Sequence, residues 1–349
     1  MLVAGGGPAG SVAALELSRR GFSVALIEQE NYQTPRVGET LPPMIRHQLV
    51  ALGVWERFME CNPLESYGIQ TAWETPLPRH QDFLHNPYGC GWHVDRARFD
   101  AMLASAAAQA GAKLIVCARI GSSPRRGDDQ WLLEAAHDGT ILTLTGRMLV
   151  DATGRKALLA AQQGSQAHVT DRLIGAVTFS ETSETAQWTL IEAVEDGWWY
   201  SAPLPGARMV FTYMTDSDLW KNPVWSDLVK RAPLTFERAG HLPIPPPFQI
   251  VSAASVIRSP VTGAGWVAIG DAALAFDPLS GQGVFKSIET ATRSSAVIAR
   301  YFDGESGALA EYESWVNESY QSYLSLRSKF YSSVLRWPES RFWQRRAAV

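Results

Sequence analysis

The stretch Leu2-Val3-Ala4-Gly5-Gly6-Gly7-Pro8-Ala9-Gly10, a run on to Arg20, and then Gly21-Phe22-Ser23-Val24-Ala25-Leu26-Ile27-Glu28 decides the fold. It reads as a short apolar strand, a glycine turn, an amphipathic helix that buries Val12, Leu15 and Leu17, and a second strand. Only Met1 to Ala4 precede the glycines, so the first strand is very short. Gly5, Gly7 and Gly10 fill the three glycine positions of G-x-G-x-x-G. There, missing side chains permit a tight turn, close approach of backbone to a pyrophosphate, and close packing of helix on strand. The helix N-terminus, including Pro8 and Ala9, then faces the phosphates, and its dipole favours their charge. Glu28 stands at the end of the second strand, where an acid accepts hydrogen bonds from an adenosine ribose. Strand, triplet, helix, strand and terminal acid together point to a bound dinucleotide.

At 349 residues the chain exceeds one compact core and is expected to divide into two domains or to carry a large insertion. A hydrophobic share of 46% with 19% charged residues excludes a disordered chain. The net charge is −4 and the basic residues do not run together, which argues against a nucleic-acid partner. No apolar run reaches the roughly 18–20 residues of a spanning helix, and the N-terminus is already committed to a strand. The expectation is therefore a cytoplasmic protein without a membrane span. Cys61, Cys90 and Cys117 form no C-x-x-C and read as reduced, packed thiols. His80, His85 and His93 have no carboxylate or cysteine at metal-ligand spacing, so no metal site is expected. Thirteen tryptophans suit a pocket for a flat aromatic ligand as well as a core.

Along the chain, residues 31–43 form a loop rich in turn formers, followed by a helix expected from Met44 to about Phe58. Arg36 in that loop either neutralises a phosphate or is solvated. Residues 62–91 are expected to give strands to a second domain. The segment from Trp92 opens a long alanine-rich helix to Gly111, and Lys113 to Ala118 is the strand after it. A further helix-plus-strand unit is expected to lead to Met148-Leu149-Val150-Asp151-Ala152-Thr153-Gly154, a buried parallel strand ending in a small-residue turn. From Val169 to Ile257 the pattern turns to alternating strands with a Pro-rich loop at Pro243 to Pro247, which reads as an inserted sheet domain. Gly265 to Ala273 returns to the first domain and places Asp271 at the carboxyl edge of its sheet, where ligands bind. Pro278, Gly281, Gln282, Gly283 and Val284 then open a helix running through Arg300. The tail is helical, then aromatic and basic, and either caps the second domain or docks a partner.

In fold class the chain is α/β. The expected arrangement, with FAD as what a resemblance implies, is an FAD-binding, Rossmann-like domain of the glutathione-reductase type (residues 1–60, 92–160 and 258–300) around an inserted antiparallel β-sheet substrate domain (61–91 and 161–257). A helical tail (301–349) follows. The FAD assignment comes from a resemblance. The Gly5/Gly7/Gly10 fingerprint with Glu28, the segment Asp95-Arg96-Ala97-Arg98-Phe99-Asp100, Asp151-Ala152-Thr153-Gly154, and Gly270-Asp271 followed by Pro278 and Gly281-Gln282-Gly283 resemble the FAD-dependent monooxygenases of the para-hydroxybenzoate hydroxylase type. The resemblance implies Glu28 on the adenosine ribose and Arg36 and Arg96 near ribose and pyrophosphate. It also implies Asp271 at the ribityl-pyrophosphate region and Gly281 to Val284 along the isoalloxazine.

Val37-Gly38-Glu39-Thr40-Leu41-Pro42 and Asp196 to Leu204 are most similar to the flavin-dependent halogenase branch. Its W-x-W-x-I-P pattern falls on Trp198, Tyr200, Ala202 and Pro203, where two of four positions differ, and the halogenating lysine has no counterpart because no lysine precedes Lys113. The tail Arg336-Trp337-Pro338 with Phe342-Trp343 is similar to that of halogenase-like flavoproteins that hydroxylate tryptophans of a partner protein during tryptophylquinone maturation.

The implied activity is an FAD-dependent monooxygenase acting through a flavin C4a-hydroperoxide on an aromatic small molecule or a tryptophan-containing partner protein. Other readings are a halogenase-like enzyme, an alkene (prenyl) reductase, and a non-catalytic binder of prenylated partners. Trp198, Trp199 and Tyr200 are the candidate pocket wall, with core residues of the inserted sheet as the competing reading. Glu192, Asp196, Asp277 and His47 are available as acid or base, and none is singled out. No second G-x-G-x-x-G appears, so electrons come from NAD(P)H binding transiently or from reduced flavin of a partner reductase.

Overall fold

A computed structural model describes residues 1–121, 130–182, 186–240 and 248–347. Two sheets dominate it. The first has the strand order Thr262–Gly263, Trp266–Ala268, Leu149–Asp151, Leu2–Ala4, Ala25–Ile27, Lys113–Ile115. Its last five strands are parallel, in register Leu2 with Ala25 on one side and Leu2 with Leu149 on the other. Each of these strands is three residues long, and all but the edge strand Lys113–Ile115 are buried at the centre, as expected for a parallel sheet covered on both faces. Helix Pro8–Arg19 packs on this sheet together with Arg96–Gln109 and Gly283–Phe302. Asp95 starts the second of these helices by accepting from the amides of Ala97 and Arg98.

The second sheet has seven strands, in the order Gln249–Ser252, Leu173–Glu181, Arg208–Asp216, Gly197–Leu204, Trp188–Val194, Gly68–Ala72, Arg79–Asp82. Its pairs are antiparallel apart from Trp188–Val194 with Gly68–Ala72, which run parallel. Residues 68–82 thus join the inserted sheet, whereas Leu64–Ser66 forms a small sheet with Gly91–His93 and Thr40–Leu41. The Pro243 to Pro247 loop lies outside the described residues.

Two elements differ from the reading of the sequence. No helix stands between Lys113–Ile115 and Leu149–Asp151 among the described residues. A three-stranded antiparallel sheet of Arg119–Ile120, Trp131–His137 and Thr140–Gly146 makes that crossover. In Trp131–His137, Trp131, Leu133 and Ala135 are buried while the residues between them are not, a period of two that belongs to a strand. The helix expected from Met44 to Phe58 is two short helices, Ile45–Ala51 and Trp55–Glu60, because the chain leaves the first at Leu52-Gly53.

The tail caps the second sheet. After the 25-residue helix Ala308–Ser332, the short helix Arg341–Ala347 buries Phe342 and Trp343 against Tyr331, Trp73, Trp198 and Leu173. Trp343 Nε1 donates to the Val194 carbonyl at 3.0 Å, and the Arg346 guanidinium donates to buried Asp216 at 2.6 Å while lying over the Phe342 ring. The long helix also buries Tyr312, Val316 and Tyr320 in the core of the first sheet, so it bridges both halves. Cys61 and Cys90 are half-buried, Cys117 is exposed, and none forms a disulfide. Among the described residues no helix is long and apolar enough to cross a membrane.

Phe342 is fully buried, and a cavity left by a large aromatic in a packed core costs about 3–5 kcal/mol. Phe342→Ala is expected to lose that amount in urea denaturation, whereas Phe330→Ala, at an exposed position of the same tail, is expected to change stability by less than about 0.5 kcal/mol.

Candidate functional site

The glycine turn is shaped by contact with distant backbone. Gly5 has φ +101°, and a Cβ there would lie 2.2 Å from the Ala152 carbonyl oxygen. A Cβ at Gly10 would lie 1.8 Å from the Gly5 carbonyl oxygen. Around Gly7 nothing lies within 4 Å of a built Cβ. The first and third glycines therefore serve packing, and Gly10 sits behind the turn. Gly7 leaves room in front of it, in the wall of a cavity of about 920 Å³. Pro8 and Ala9, the first residues of the helix, line the same cavity; Pro8 has no N–H to leave unpaired, and the free amide of Ala9 lies at the cavity wall.

Glu28, Arg36, Arg96, Asp271, Pro278, Gly281, Gly283 and Val284 also line this cavity, and Gln282 lines a second one. Buried Glu28 accepts from the Gly6 amide at 2.6 Å and the Glu30 amide at 3.0 Å, and pairs with Arg36 at 3.0 Å. Arg36 is neither solvated nor free for a phosphate alone. Its other nitrogen holds Asp100 at 3.1 Å; burial lowers its pKa, and the carboxylates of Glu28 and Asp100 outweigh that and raise it. Asp100 also takes Arg96, whose Nη1 donates to the carbonyls of Val37 at 2.6 Å and Gly38 at 3.2 Å and so pins the 37–38 loop against the cavity. Asp271 lies 3.6 Å from Arg155; burial raises its carboxyl while Arg155 and Arg96 pull it down. Asp151 is spent on structure, accepting from the amides of Thr153, Leu159 and Ala160.

The inner part of the cavity is roofed by one face of the seven-stranded sheet. Trp198 and Tyr200 line it with Ile191, Met214 and Thr212. Trp199 does not: strand residues alternate between faces, and Trp199 packs on the far side with Phe211, Tyr213 and Trp225. Its expected place in the pocket wall is thereby corrected. Trp198 Nε1 donates to Tyr331 Oη at 3.0 Å, and the Tyr331 hydroxyl donates to Asp277 at 2.7 Å, tying the tail to the cavity wall. The second cavity, about 760 Å³, shares Ile69, Ile191, Phe276, Asp277, Leu279 and Ser280 with the first and opens between residues 71–81 and the tail helix.

Of the four acid–base candidates only Asp277 lines these cavities. It is buried beneath Arg327 and Tyr331, and burial raises its carboxyl despite Arg327. Glu192 caps helix Pro233–Ala239 through the Leu234 and Thr235 amides. Asp196 is half-exposed beside Arg231, and His47 is exposed. Glu39, absent from the sequence-based candidates, lines the cavity. It accepts from the Gly38 amide at 3.0 Å through Oε2, while Oε1 is buried without a partner. Burial pushes its carboxyl up to about 7 against a weaker pull from Arg96. Beyond it, Tyr200 Oη lies 2.6 Å from Thr40 Oγ1, which lies 3.0 Å from Nδ1 of His93. Burial drives His93 down to about 3, so its ring is neutral. Among the described residues no group of three or more His, Cys, Asp or Glu gathers as a metal site.

Comparison with known proteins places this geometry. The family model described as FAD binding domain matches residues 1–320. LodB of Marinomonas mediterranea, assigned as an FAD-dependent oxidoreductase, is 29% identical over 360 residues that span 99% of this chain and 96% of LodB. A tryptophan 2-halogenase of Chondromyces crocatus is 26% identical over 98% of this chain and 69% of its own length. Among solved structures, the flavin-dependent halogenase CmlS superposes with TM-score 0.89 at 23% identity over 99% of this chain, which spans 66% of CmlS. QhpG, a peptidyl tryptophan dihydroxylase essential for tryptophylquinone cofactor biogenesis, superposes with TM-score 0.81 at 22% identity over 99% of this chain and 78% of QhpG. The fold is that of the FAD-dependent monooxygenase superfamily beside its halogenase-like branch. The residues suit FAD: the turn leaves at Gly7 the space a side chain would fill, faced by a helix N-terminus and flanked by acid and arginine groups.

Two expectations follow from the site. Gly7→Ala keeps the fold, with an unchanged thermal midpoint, and weakens FAD binding by about tenfold or more in a fluorescence titration; Gly10→Ala, which drives a methyl into the Gly5 carbonyl, loses both. Glu39 has a folded pKa of about 7 against an ordinary 4.5, so the folded state binds its proton more tightly. Its contribution to stability is complete below pH 4.5 and falls as pH rises through 7, by up to about 3 kcal/mol. In urea denaturation Glu39→Gln is therefore expected to gain on the wild type across that window.

Proposed function

The chain belongs to the family of the FAD binding domain, and on that footing we propose that this FAD-dependent oxidoreductase is a monooxygenase that hydroxylates an aromatic substrate, a tryptophan side chain of a partner protein fitting best. The observation that carries this reading is the pair of cavities with a shared wall. One end carries the dinucleotide features, and the other lies beneath an apolar and aromatic sheet face that holds no lysine. The one lysine lining the first cavity among the described residues, Lys156, follows the Asp151 to Gly154 turn at the dinucleotide end, and Lys286 in the second is paired with Glu289 at 2.7 Å. A side chain able to carry a halogenating oxidant is thus missing from the sheet face.

When bound, FAD supplies the redox and oxygen chemistry. The protein's own residues hold, orient and enclose. The amides of Gly7 and Ala9 and the helix dipole would receive the pyrophosphate, Glu28 the ribose, and Asp271 the ribityl region. The turn at Pro278 to Gly283 would lie along the ring system. Ile191, Trp198 and Met214 keep the inner chamber apolar and water-poor, which strengthens every polar contact made inside it. The second cavity, bounded by Trp73, Trp315 and Phe330, offers aromatic surfaces for an indole, and its mouth, with exposed Leu77 and Leu326, suits the flanking residues of a polypeptide. QhpG's action on peptidyl tryptophan supports the same reading by analogy of fold.

The test is turnover under labelled oxygen, with FAD-loaded protein, a flavin reductase with NADH, a tryptophan-containing peptide, and chloride and bromide present. The expected product gains one or two labelled oxygen atoms and no halogen. A halogenated product, or an alkene substrate reduced without oxygen, would replace this reading with one of its alternatives.

A further inference from the structure

We propose that Glu39 is the proton-exchanging residue of the flavin cavity, holding a proton when the cavity is empty and binding it more tightly when FAD enters. The proposal rests on flavin occupying this cavity and not on what the flavin oxidises.

Seven carboxylates are buried among the described residues: Glu28, Glu39, Asp100, Asp151, Glu192, Asp216 and Asp277. Six have both oxygens partnered. Glu28 and Asp100 share Arg36, Asp151 and Glu192 take backbone amides, Asp216 takes Arg345 and Arg346, and Asp277 takes Leu279, Tyr331 and Arg327. Glu39 alone keeps an oxygen sealed from water with no partner. A buried carboxylate in that state is strongly disfavoured, and the simplest remedy is a proton. The same residue stands in the wall of the flavin cavity, so a charge entering that cavity acts on it at short range.

The groups packed around Glu39 do not remove the imbalance. Arg96, from helix Arg96–Gln109, gives its donors to Val37, Gly38 and Asp100. Tyr200, from strand Gly197–Leu204, is neutral and held by Thr40. His93, from strand Gly91–His93, is neutral and bonded to the same Thr40, and Arg238 of helix Pro233–Ala239 acts on Tyr200 and His93. Arg96 is thus the one cation favouring the charged form of Glu39. FAD brings two phosphate charges into the space that Arg96 and Glu39 both line, which opposes the pull of Arg96 and favours neutral Glu39. Loading therefore takes up protons, most strongly just above pH 7.

The experiment is calorimetric titration of deflavinated protein with FAD at pH 7.5, in buffers of different ionisation enthalpy. Wild type is expected to take up about half a proton per FAD, and Glu39→Gln, which keeps the bond from the Gly38 amide, close to none. Equal uptake by both proteins would overturn the proposal. Carboxyl titration by NMR of wild-type protein labelled with ¹³C-glutamate decides the matter even if the variant does not fold. One glutamate titrating near pH 7 supports it, and all glutamates titrating below about pH 5.5 overturn it. Failure of wild type to bind FAD would instead strike the flavin reading itself, while the carboxyl titration would still decide the state of Glu39.

Discussion

The whole site depends on backbone pressed against backbone at the glycine turn. Three segments far apart in the chain meet there: residues 5–10, the carbonyl and methyl of Ala152, and Gly270, where a Cβ would fall 2.7 Å from the Ala9 methyl. Side chains at Gly5, Gly10 or Gly270 would hold these segments apart, and the helix N-terminus would no longer sit at the parallel sheet's edge. The short parallel strands follow from the same constraint. Strands of three residues cannot bury much alone, so their stability comes from helices Pro8–Arg19, Arg96–Gln109 and Gly283–Phe302 packed over them.

Charge is arranged around that contact so that little is left over. Arg36 between Glu28 and Asp100, and Arg96 between Asp100 and the 37–38 carbonyls, form a continuous chain from the end of the second strand to the loop that closes the cavity. In such a chain the removal of one member strands a charge on the next, so its members hold one another in place. The inserted sheet contributes the opposite environment, an apolar face with few hydroxyls. The boundary between the two runs through Glu39 and Thr40, a carboxyl without a full set of partners beside a hydroxyl bonded to Tyr200 and near His93.

Much of this was legible in the sequence, because the signals are local. The glycine spacing, Glu28 at a strand end and Asp271 after an apolar strand each follow from their neighbours in the chain. What was missed depends on partners supplied by the fold. Glu39 looks like any loop glutamate until the sheet of Thr40–Leu41, Gly91–His93 and Leu64–Ser66 closes over it. The sequence leads one to expect a helix-plus-strand unit before Met148; pairing of Trp131–His137 with Thr140–Gly146 makes that crossover a sheet instead. Trp198, Trp199 and Tyr200 were read as one aromatic run, although a strand must send the middle residue to the opposite face.

Asp277 links the two cavities to the tail. It accepts from the Leu279 amide and so sets the turn Pro278–Ser280 that precedes the glycines at 281 and 283. It also accepts from Tyr331 and Arg327 of the tail helix, and Arg327 in turn reaches Asp171. A carboxylate with these obligations cannot move without carrying both the turn and the helix. The wall shared by the two cavities is therefore held as one unit with the tail.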